Sequence, residues 1–318
     1  MTFRTIEGGV STRRGVRELP HDRSAMLWSE AGPSAMFVES MDRWIDAMLA
    51  DEHGAGDGPE VMIEADLVSK STGVLCGNSA ADRLLDSHFP DCSVEWLIKE
   101  GGEVFSGVCV AVLRGPARSV LRLERIFLNL VGRLSGIATN TSNWCNVAGS
   151  LQVAATRKTA WGLLDKWAIH IGGGLTHRLN RGDALMLKEN DFVAMSEDGE
   201  VSTNAIARIV SGLPAENESF TTVEVRNSNE AMVAARAWDS RDSRIVLMLD
   251  NMGPSEAGEV VSSLIEEDLR DRCVIEGSGG VTMESLSEWI DSGVDVVSSS
   301  RLNLGVTLAD FSILFRSS

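Results

Sequence analysis

Paired cysteines, long apolar runs and lysine are all scarce in this sequence of 318 residues. The five cysteines are widely spaced and form no CxxC pair, which argues against a disulfide framework or a zinc site. No apolar run approaches the roughly 18 residues that span a membrane, and the N-terminus lacks the apolar segment of a secretory signal. We therefore expect reduced cysteines and a cytoplasmic protein.

The few lysines are concentrated in one part of the chain. Only five are present, and three of them lie between residues 158 and 188. The same segment carries Arg157, His177 and Arg178, although the formal net charge of the whole protein is −17. Like charges are held close together where an opposite charge offsets their repulsion. This segment therefore predicts a site for a substrate with several negative charges. The net charge itself argues against nonspecific binding to nucleic acid or to an anionic membrane.

Hydrophobic patterning divides the chain into four parts. The first is polar and weakly patterned, which predicts a mobile or loosely docked N-terminal extension. The second combines a helix over 34–49, short β-like runs over 59–118 and a helix over 119–134, which indicates a small mixed α/β domain. The third is a larger α/β domain and the fourth a short C-terminal segment that we expect to return toward the first domain. The bounds that we assign are 1–33, 34–140, 141–305 and 306–318.

The third part alternates strand-like and helix-like stretches at intervals of about 20 to 40 residues, the size of a βα unit. Six such units favour an incomplete parallel α/β barrel over an open doubly wound sheet. The glycines at 172–174 do not form the GxGxxG fingerprint of a dinucleotide-binding fold. The apolar runs end near Thr156, Lys188, Arg226, Asp250, Gly277 and Ser300.

Polar residues follow the ends of these runs, and in a parallel barrel those ends converge on one face. Basic side chains there supply donors for carboxylates or phosphates. Glu224 and Asp250 either orient these cations or hold a hard divalent metal through carboxylate oxygens. The run from Glu276 to Gly280, followed by a helix that we expect to begin after Thr282, is a backbone-donor loop suited to a phosphate.

Each of these features also has a simpler interpretation. A basic doublet is most often a solvated surface pair, and Glu224 alone could be a surface residue of a strand. Asp250 and Asn251 could cap a helix, and Gly279-Gly280 could be a plain turn. The simple interpretations require several independent accidents at equivalent strand ends, so we reject them as a set.

These motifs together resemble those of the quinolinate phosphoribosyltransferase family, over about Asp51 to Phe311. The resemblance implies an N-terminal mixed α/β sandwich domain plus an incomplete parallel α/β barrel, the type II phosphoribosyltransferase architecture. The motifs that carry it are Glu124-Arg125, Leu128-Asn129, Leu134 to Thr139, Thr156 to Thr159, Gly172 to Gly174, His177-Arg178, Lys188 to Asn190, Val223 to Val225, Met248 to Met252, and Ser278 to Gly280.

The resemblance implies phosphoribosyl transfer from phosphoribosyl pyrophosphate (PRPP) to quinolinate with loss of CO2, with Mg²⁺ as cofactor. It implies a homodimer in which Arg125 completes the neighbouring subunit's site. It implies catalytic roles for Lys158, Lys188, Glu224 and Asp250, with either lysine as the proton donor and the two acids meeting the metal, directly or through water. The implied substrate-binding residues are Arg125, Arg157, Lys158, His177, Arg178 and Lys188. The implied phosphate-binding residues are Ser278, Gly279, Gly280, Ser299 and Ser300.

Four positions depart from the family pattern. Thr176 stands where the family usually has asparagine, Glu189 where it has aspartate, Asp191 where it has histidine, and Ser300 where it has glycine. Two alternatives therefore stay open, a paralogue that acts on another aromatic acid and a relative that binds ligands without catalysis.

Overall fold

The computed structural model describes residues 19–52, 58–214 and 220–316. Its strands are β1 (Trp28–Ser29), β2 (Gly32–Pro33), β3 (Met62–Ser69), β4 (Gly73–Val74), β5 (Ser93–Trp96), β6 (Glu103–Val104), β7 (Cys109–Pro116), β8 (Gln152–Ala154), β9 (Leu185–Leu187), β10 (Thr221–Val225), β11 (Ile245–Asp250), β12 (Cys273–Ser278), β13 (Val296–Ser298) and β14 (Phe311–Phe315). Its α-helices are α1 (Ala35–Asp51), α2 (Asn78–His88), α3 (Ala117–Ala148), α4 (Leu163–Ile171), α5 (Glu189–Met195), α6 (Ser202–Gly212), α7 (Ser228–Trp238), α8 (Gly253–Glu266) and α9 (Leu286–Asp291).

The N-terminal domain is built on a four-stranded antiparallel sheet in the order β14-β3-β7-β5. Helix α1 begins where the sequence predicts it, because the Ser34 hydroxyl accepts a hydrogen bond from the Phe37 amide and caps the first turn. The edge strand β14 comes from the far end of the sequence and pairs with β3 along five residues. The sheet is therefore complete only when β14, near the C-terminal end of the described chain, has paired with β3.

Helix α3 is twice as long as the patterning predicts, with 32 residues from Ala117 to Ala148. The boundary that we assigned between residues 140 and 141 lies inside it. The helix packs against β7 and β14 of the first domain and against α4 and β8 of the second. Gly132 and Gly136 allow the segment 307–309 to cross it closely, because a Cβ at Gly136 would lie 2.4 Å from the Thr307 carbonyl oxygen. The two domains thus share one continuous helix.

The second domain is a six-stranded parallel sheet in the order β8-β13-β12-β11-β10-β9. Strands β8 and β9 are the two edges of this order, which makes the barrel incomplete. The β-bridge between Ala154 and Leu175 extends the β8 edge. None of the helices in the described ranges is long and apolar enough to cross a bilayer. All five cysteines are free, and four of them are buried.

The expectation of a loosely docked extension is wrong for residues 19–33, while residues 1–18 lie outside the described part. Leu27 is fully buried, and Trp28 stacks on Trp167 of α4 with ring centroids 5.4 Å apart. Leu19 and His21 are buried against the barrel. The prediction was wrong because polar composition does not show that these side chains contact residues distant in sequence.

Candidate active site at the barrel mouth

The alternation of side chains along the barrel strands separates an inner face from an outer one. Val246, Val274 and Val296 form a small inner cluster with Ala154, whereas their odd-numbered neighbours pack in the large core with the helices. Residues of the same parity farther along each strand share the inner face and lie toward the barrel mouth. These residues are Lys188, Glu224, Asp250, Ser278 and Ser298.

Glu224 and Asp250 therefore face the same side of the sheet from adjacent strands. Both side chains are half-buried, and Glu224 forms an ion pair with Lys188. Asp250 accepts a hydrogen bond from the Asn251 side chain at 2.8 Å. Two carboxylates on neighbouring strand ends are the hard oxygen donors that Mg²⁺ prefers, so this pair fits a magnesium ion.

The loop after β8 presents Arg157 and Lys158, which are both exposed. The loop is held from below by Asp165, whose side chain is fully buried. One Asp165 oxygen accepts hydrogen bonds from the amides of residues 160 and 161 at 2.8 and 3.3 Å and from Asn303 at 3.0 Å. Arg133 binds the same carboxylate through two nitrogens. A buried acid thus fixes the backbone that carries two exposed cations.

Arg157 and Arg178 lie close enough for their positive charges to repel each other. The pKa of Arg178 is lowered, first by burial and then by the charge of Arg157. Arg178 donates to the Ala184 carbonyl oxygen at 3.2 Å. Within the described ranges, no carboxylate lies within ion-pair distance of either guanidinium. Asp191 and Glu276 attract Arg178 from a distance, but two neighbouring arginines without a direct ion pair in the described chain form a site that an anion would stabilise.

His177 is buried, and the protein itself uses both of its ring nitrogens. Its Nδ1 accepts a hydrogen bond from the Arg178 amide at 2.7 Å, and its Nε2 lies 3.2 Å from Glu276. Its backbone has a φ of 52°, a conformation that a non-glycine residue keeps only under strong local constraint. The predicted direct contact of this imidazole with substrate is at odds with this geometry, because no ring nitrogen is left to face the mouth.

His21, His177 and Glu276 bring three potential metal ligands within 4.8 Å of one another. The hydrogen bond from the Arg178 amide requires a lone pair on His177 Nδ1, so the ring proton is on Nε2. A protonated Nε2 donates to Glu276 and cannot coordinate a metal. The cluster is therefore a buried hydrogen-bond network, and the carboxylates at the mouth are the better metal ligands.

Lys166 is a charged residue of the site that the sequence analysis counted but gave no role. It lies on α4 with its side chain buried, and its Nζ donates to the Thr176 carbonyl oxygen at 2.6 Å. Burial lowers the pKa of Lys166 from 10.5 to about 7, with nearby Asp183 opposing the change. A lysine in the mostly apolar helix α4, directly after Asp165, was the available signal, and its burial there depends on tertiary packing.

The glycine loop after β12 forms the opposite side of the mouth. Gly279 and Gly280 have φ values of 86° and 65°, in the left-handed region. A Cβ at Gly279 would lie 2.3 Å from the Asn251 side-chain oxygen, so only glycine fits there. Ser278 is half-buried, and its hydroxyl lies 3.3 Å from that of Ser298. This loop exposes backbone at the position where the sequence predicts phosphate binding.

Two expectations for this side need correction. Helix α9 begins at Leu286 rather than after Thr282, because a turn held by Thr282 and Ser285 precedes it. Ser299 is buried, and its hydroxyl donates to the Val281 carbonyl oxygen at 2.9 Å, so this hydroxyl is not a free phosphate donor. Ser300 is half-buried at the start of a short 3₁₀ turn.

Arg125 and Asp191 complete the predicted set. Arg125 is exposed on α3, and no hydrogen bond or ion pair joins it to the mouth residues of the described chain. Asp191 lies in the first turn of α5, and its carboxylate accepts from the Lys188 amide at 2.9 Å. The acid at this departure from the family pattern therefore caps a helix.

An incomplete parallel barrel whose mouth gathers unpaired arginines beside two carboxylates defines an α/β barrel enzyme for anionic substrates. The models of the quinolinate phosphoribosyl transferase N-terminal and C-terminal domains match residues 48–135 and 137–314. The chain belongs to the quinolinate phosphoribosyl transferase family.

Individual relatives agree with this family. A probable carboxylating nicotinate-nucleotide pyrophosphorylase of Archaeoglobus fulgidus is 35% identical over 264 residues, which cover 80% of this chain and 95% of the relative. A chloroplastic carboxylating nicotinate-nucleotide pyrophosphorylase of Arabidopsis thaliana is 34% identical over 262 residues, covering 80% of this chain and 74% of the relative. The solved structure of the nicotinate-nucleotide pyrophosphorylase from Francisella tularensis matches with a TM-score of 0.76 and 25% identity, covering 88% of this chain and 97% of that one.

Proposed function

We propose that this protein transfers the phosphoribosyl group of PRPP to quinolinate and releases pyrophosphate and CO2, forming nicotinate mononucleotide for de novo NAD biosynthesis. The observation that carries the proposal is the arginine pair, Arg157 and Arg178, whose charges repel each other and which form no direct ion pair with a carboxylate of the described chain. A pyridine dicarboxylate supplies the missing counter-charges. The names of the relatives from Archaeoglobus and Arabidopsis support the same chemistry.

Different residues of the barrel mouth serve the successive steps of phosphoribosyl transfer and decarboxylation. The ring nitrogen attacks the anomeric carbon as its bond to pyrophosphate breaks, and the glycine loop at 279–280 holds the 5′-phosphate through backbone amides. Glu224 and Asp250 would hold a magnesium ion, whose charge neutralises the leaving pyrophosphate. The pyridinium then stabilises the carbanion left when CO2 departs, and a lysine protonates that carbon. Lys188 is paired with Glu224 whereas Lys158 is exposed, which favours Lys158 as the donor.

A turnover assay with quinolinate, PRPP and Mg²⁺ tests the proposal by following nicotinate mononucleotide and CO2 together. We expect equal amounts of both products. Arg157→Ala should lower kcat/KM for quinolinate by about 100-fold or more, because it leaves a carboxylate unpaired. Arg43→Ala on the exposed face of α1 is the matched control. Binding of PRPP without either product would instead favour another aromatic acid or a non-catalytic role.

The proposal includes a homodimer and a cytoplasmic location. Arg125 is exposed and forms no hydrogen bond or ion pair with the mouth residues of its own described chain, as a residue that serves a partner's site would. Mixing the inactive variants Arg125→Ala and Arg157→Ala tests this arrangement. If sites are shared, random exchange of subunits restores about one quarter of the wild-type activity, because half of the dimers carry one intact site. No recovery after verified exchange would place Arg125 in its own subunit's site or outside it.

A further inference from the structure

The N-terminal segment, residues 19–23, packs against the inner face of the incomplete barrel and against the loop 176–183. Leu19 packs in the inner cluster with Ala154, Val246 and Val274. The Thr176 hydroxyl accepts from the Arg23 amide at 2.7 Å and lies 3.3 Å from the His21 carbonyl oxygen. The segment therefore lies directly beneath the loop that carries His177 and Arg178.

His21 reaches β12, an interior strand of the barrel sheet. Its side chain is fully buried, and its Nε2 lies 3.0 Å from a Glu276 carboxylate oxygen. The His21 ring contacts the His177 ring edge to face, with centroids 4.9 Å apart. The Glu276 carboxylate thus contacts two imidazoles. One comes from the N-terminal segment and one from the loop 176–183, which we call the site loop.

The network fixes the orientation of the His177 ring. The ring accepts from the Arg178 amide through Nδ1 and donates to Glu276 through Nε2. Burial would raise the pKa of Glu276, but the two imidazoles outweigh it and lower that pKa well below its ordinary range. An ionised Glu276 therefore needs both donors, and loss of one leaves a buried charge under-compensated.

A second anchor holds the other end of the site loop. Arg23 binds Asp183 through two nitrogens, and the same carboxylate accepts from the Leu179 amide at 2.8 Å. His21 and Arg23 therefore flank the loop segment that contains Arg178. This loop is supported by residues that precede both matched family domains.

We infer that His21 is a positioning residue for phosphoribosyl transfer, acting through Glu276 to hold His177 and with it the guanidinium of Arg178. The inference rests on the proposed function. His21 touches no reacting atom, so its effect is confined to the geometry of the quinolinate end of the site. Glu276 lies on β12, which leads into the Gly279 loop, but within the described residues no hydrogen bond joins His21 to that loop.

The test compares His21→Leu, which removes the donor, with His21→Gln, which retains an N–H group near the same position. We expect His21→Leu to lower kcat/KM for quinolinate by about 10- to 100-fold while the KM for PRPP stays unchanged. His21→Gln should remain near wild type. Glu30→Gln, on an exposed residue, is the control. Equal losses in both His21 variants, or a parallel rise in the KM for PRPP, would overturn the inference.

The imidazole ¹⁵N chemical shifts of His177 provide a readout that needs no turnover. In the wild type and in His21→Gln the ring should carry its proton on Nε2, and in His21→Leu this preference should weaken. If the wild type fails to act on quinolinate, the proposed function fails, and the shifts still decide whether His21 positions the loop. Unchanged shifts in folded His21→Leu would overturn the inference.

Discussion

The two halves of the barrel mouth use different means to bind anions. In the half after β8 and β9, buried acids hold from beneath the loops that carry Arg157, Lys158 and Arg178, while Lys188 pairs with the half-buried Glu224. In the half after β12 and β13, backbone and hydroxyl groups are the available donors, and glycines allow the backbone conformation of the loop. A cationic half needs counter-charges to assemble, and acids placed underneath supply them without neutralising the face that meets substrate.

The largest expected effect is a loss of stability when an acid that supports the cationic half is removed. Asp165→Ala leaves Arg133 and two loop amides without their buried acceptor. We expect the free energy of unfolding to fall by about 3–5 kcal/mol in urea titrations. Glu267→Ala, which breaks the exposed ion pair with Arg236, should cost less than about 1 kcal/mol. Equal losses would mean that Asp165 does not support the cationic half.

The glycine half should respond to backbone strain instead. Gly279→Ala places a Cβ against Asn251 in a left-handed conformation, and we expect a loss of about 3 kcal/mol and a higher KM for PRPP. At Gly280 a Cβ meets nothing within 4 Å, so Gly280→Ala should cost only about 1 kcal/mol of backbone strain. A ranking in the opposite order would contradict the role of close packing at Gly279.

Lys166 makes the stability of the cationic half depend on pH. Its pKa is about 7 in the folded protein, because of burial, and the unfolded chain restores a value of about 10.4. Between these values the unfolded state holds a proton that the folded state has lost, so stability rises with pH. From pH 7 to 9, wild type should gain about 2 kcal/mol relative to Lys166→Met in urea unfolding. Parallel curves for the two proteins would show that Lys166 remains charged when buried.

The smallest expected effect concerns Asp191. Asp191→Ala removes the carboxylate that caps the Lys188 amide and should cost about 1 kcal/mol. Asp191→Asn retains an acceptor oxygen and should restore most of that loss in thermal unfolding. If Asp191→Asn is as unstable as Asp191→Ala, the charge of Asp191 matters more than its hydrogen bond.

Sequence patterning predicted the strand ends well because a short apolar run is a local property. Lys188, Glu224, Asp250 and Ser278 all lie at or near the end of such a run, and the structure places them on one inner face. Arg157 and Lys158 were found for the same reason. The full length of α3 was not predicted because the second half of the helix is polar enough to resemble a domain boundary.

The supporting residues were not predicted, because burial of a charge depends on partners that are distant in sequence. Asp165 meets Arg133 and Asn303, and Glu276 meets His177 and His21. Glu276 did leave a local signal, as an acid within an apolar strand. For residues 19–23 there was none, since the burial of this polar segment depends on its contacts with the barrel interior and with the loop 176–183.

The pairing of β14 with β3 has a consequence for synthesis on the ribosome. Strand β3 emerges early and pairs with β7, but its other edge waits for residues 311–315. His21 likewise waits for Glu276, which lies 255 residues later. At about 5–20 residues per second, this delay is on the order of tens of seconds. Throughout that time the nascent chain carries an open strand edge, a template for mispairing that only the last-made strand covers.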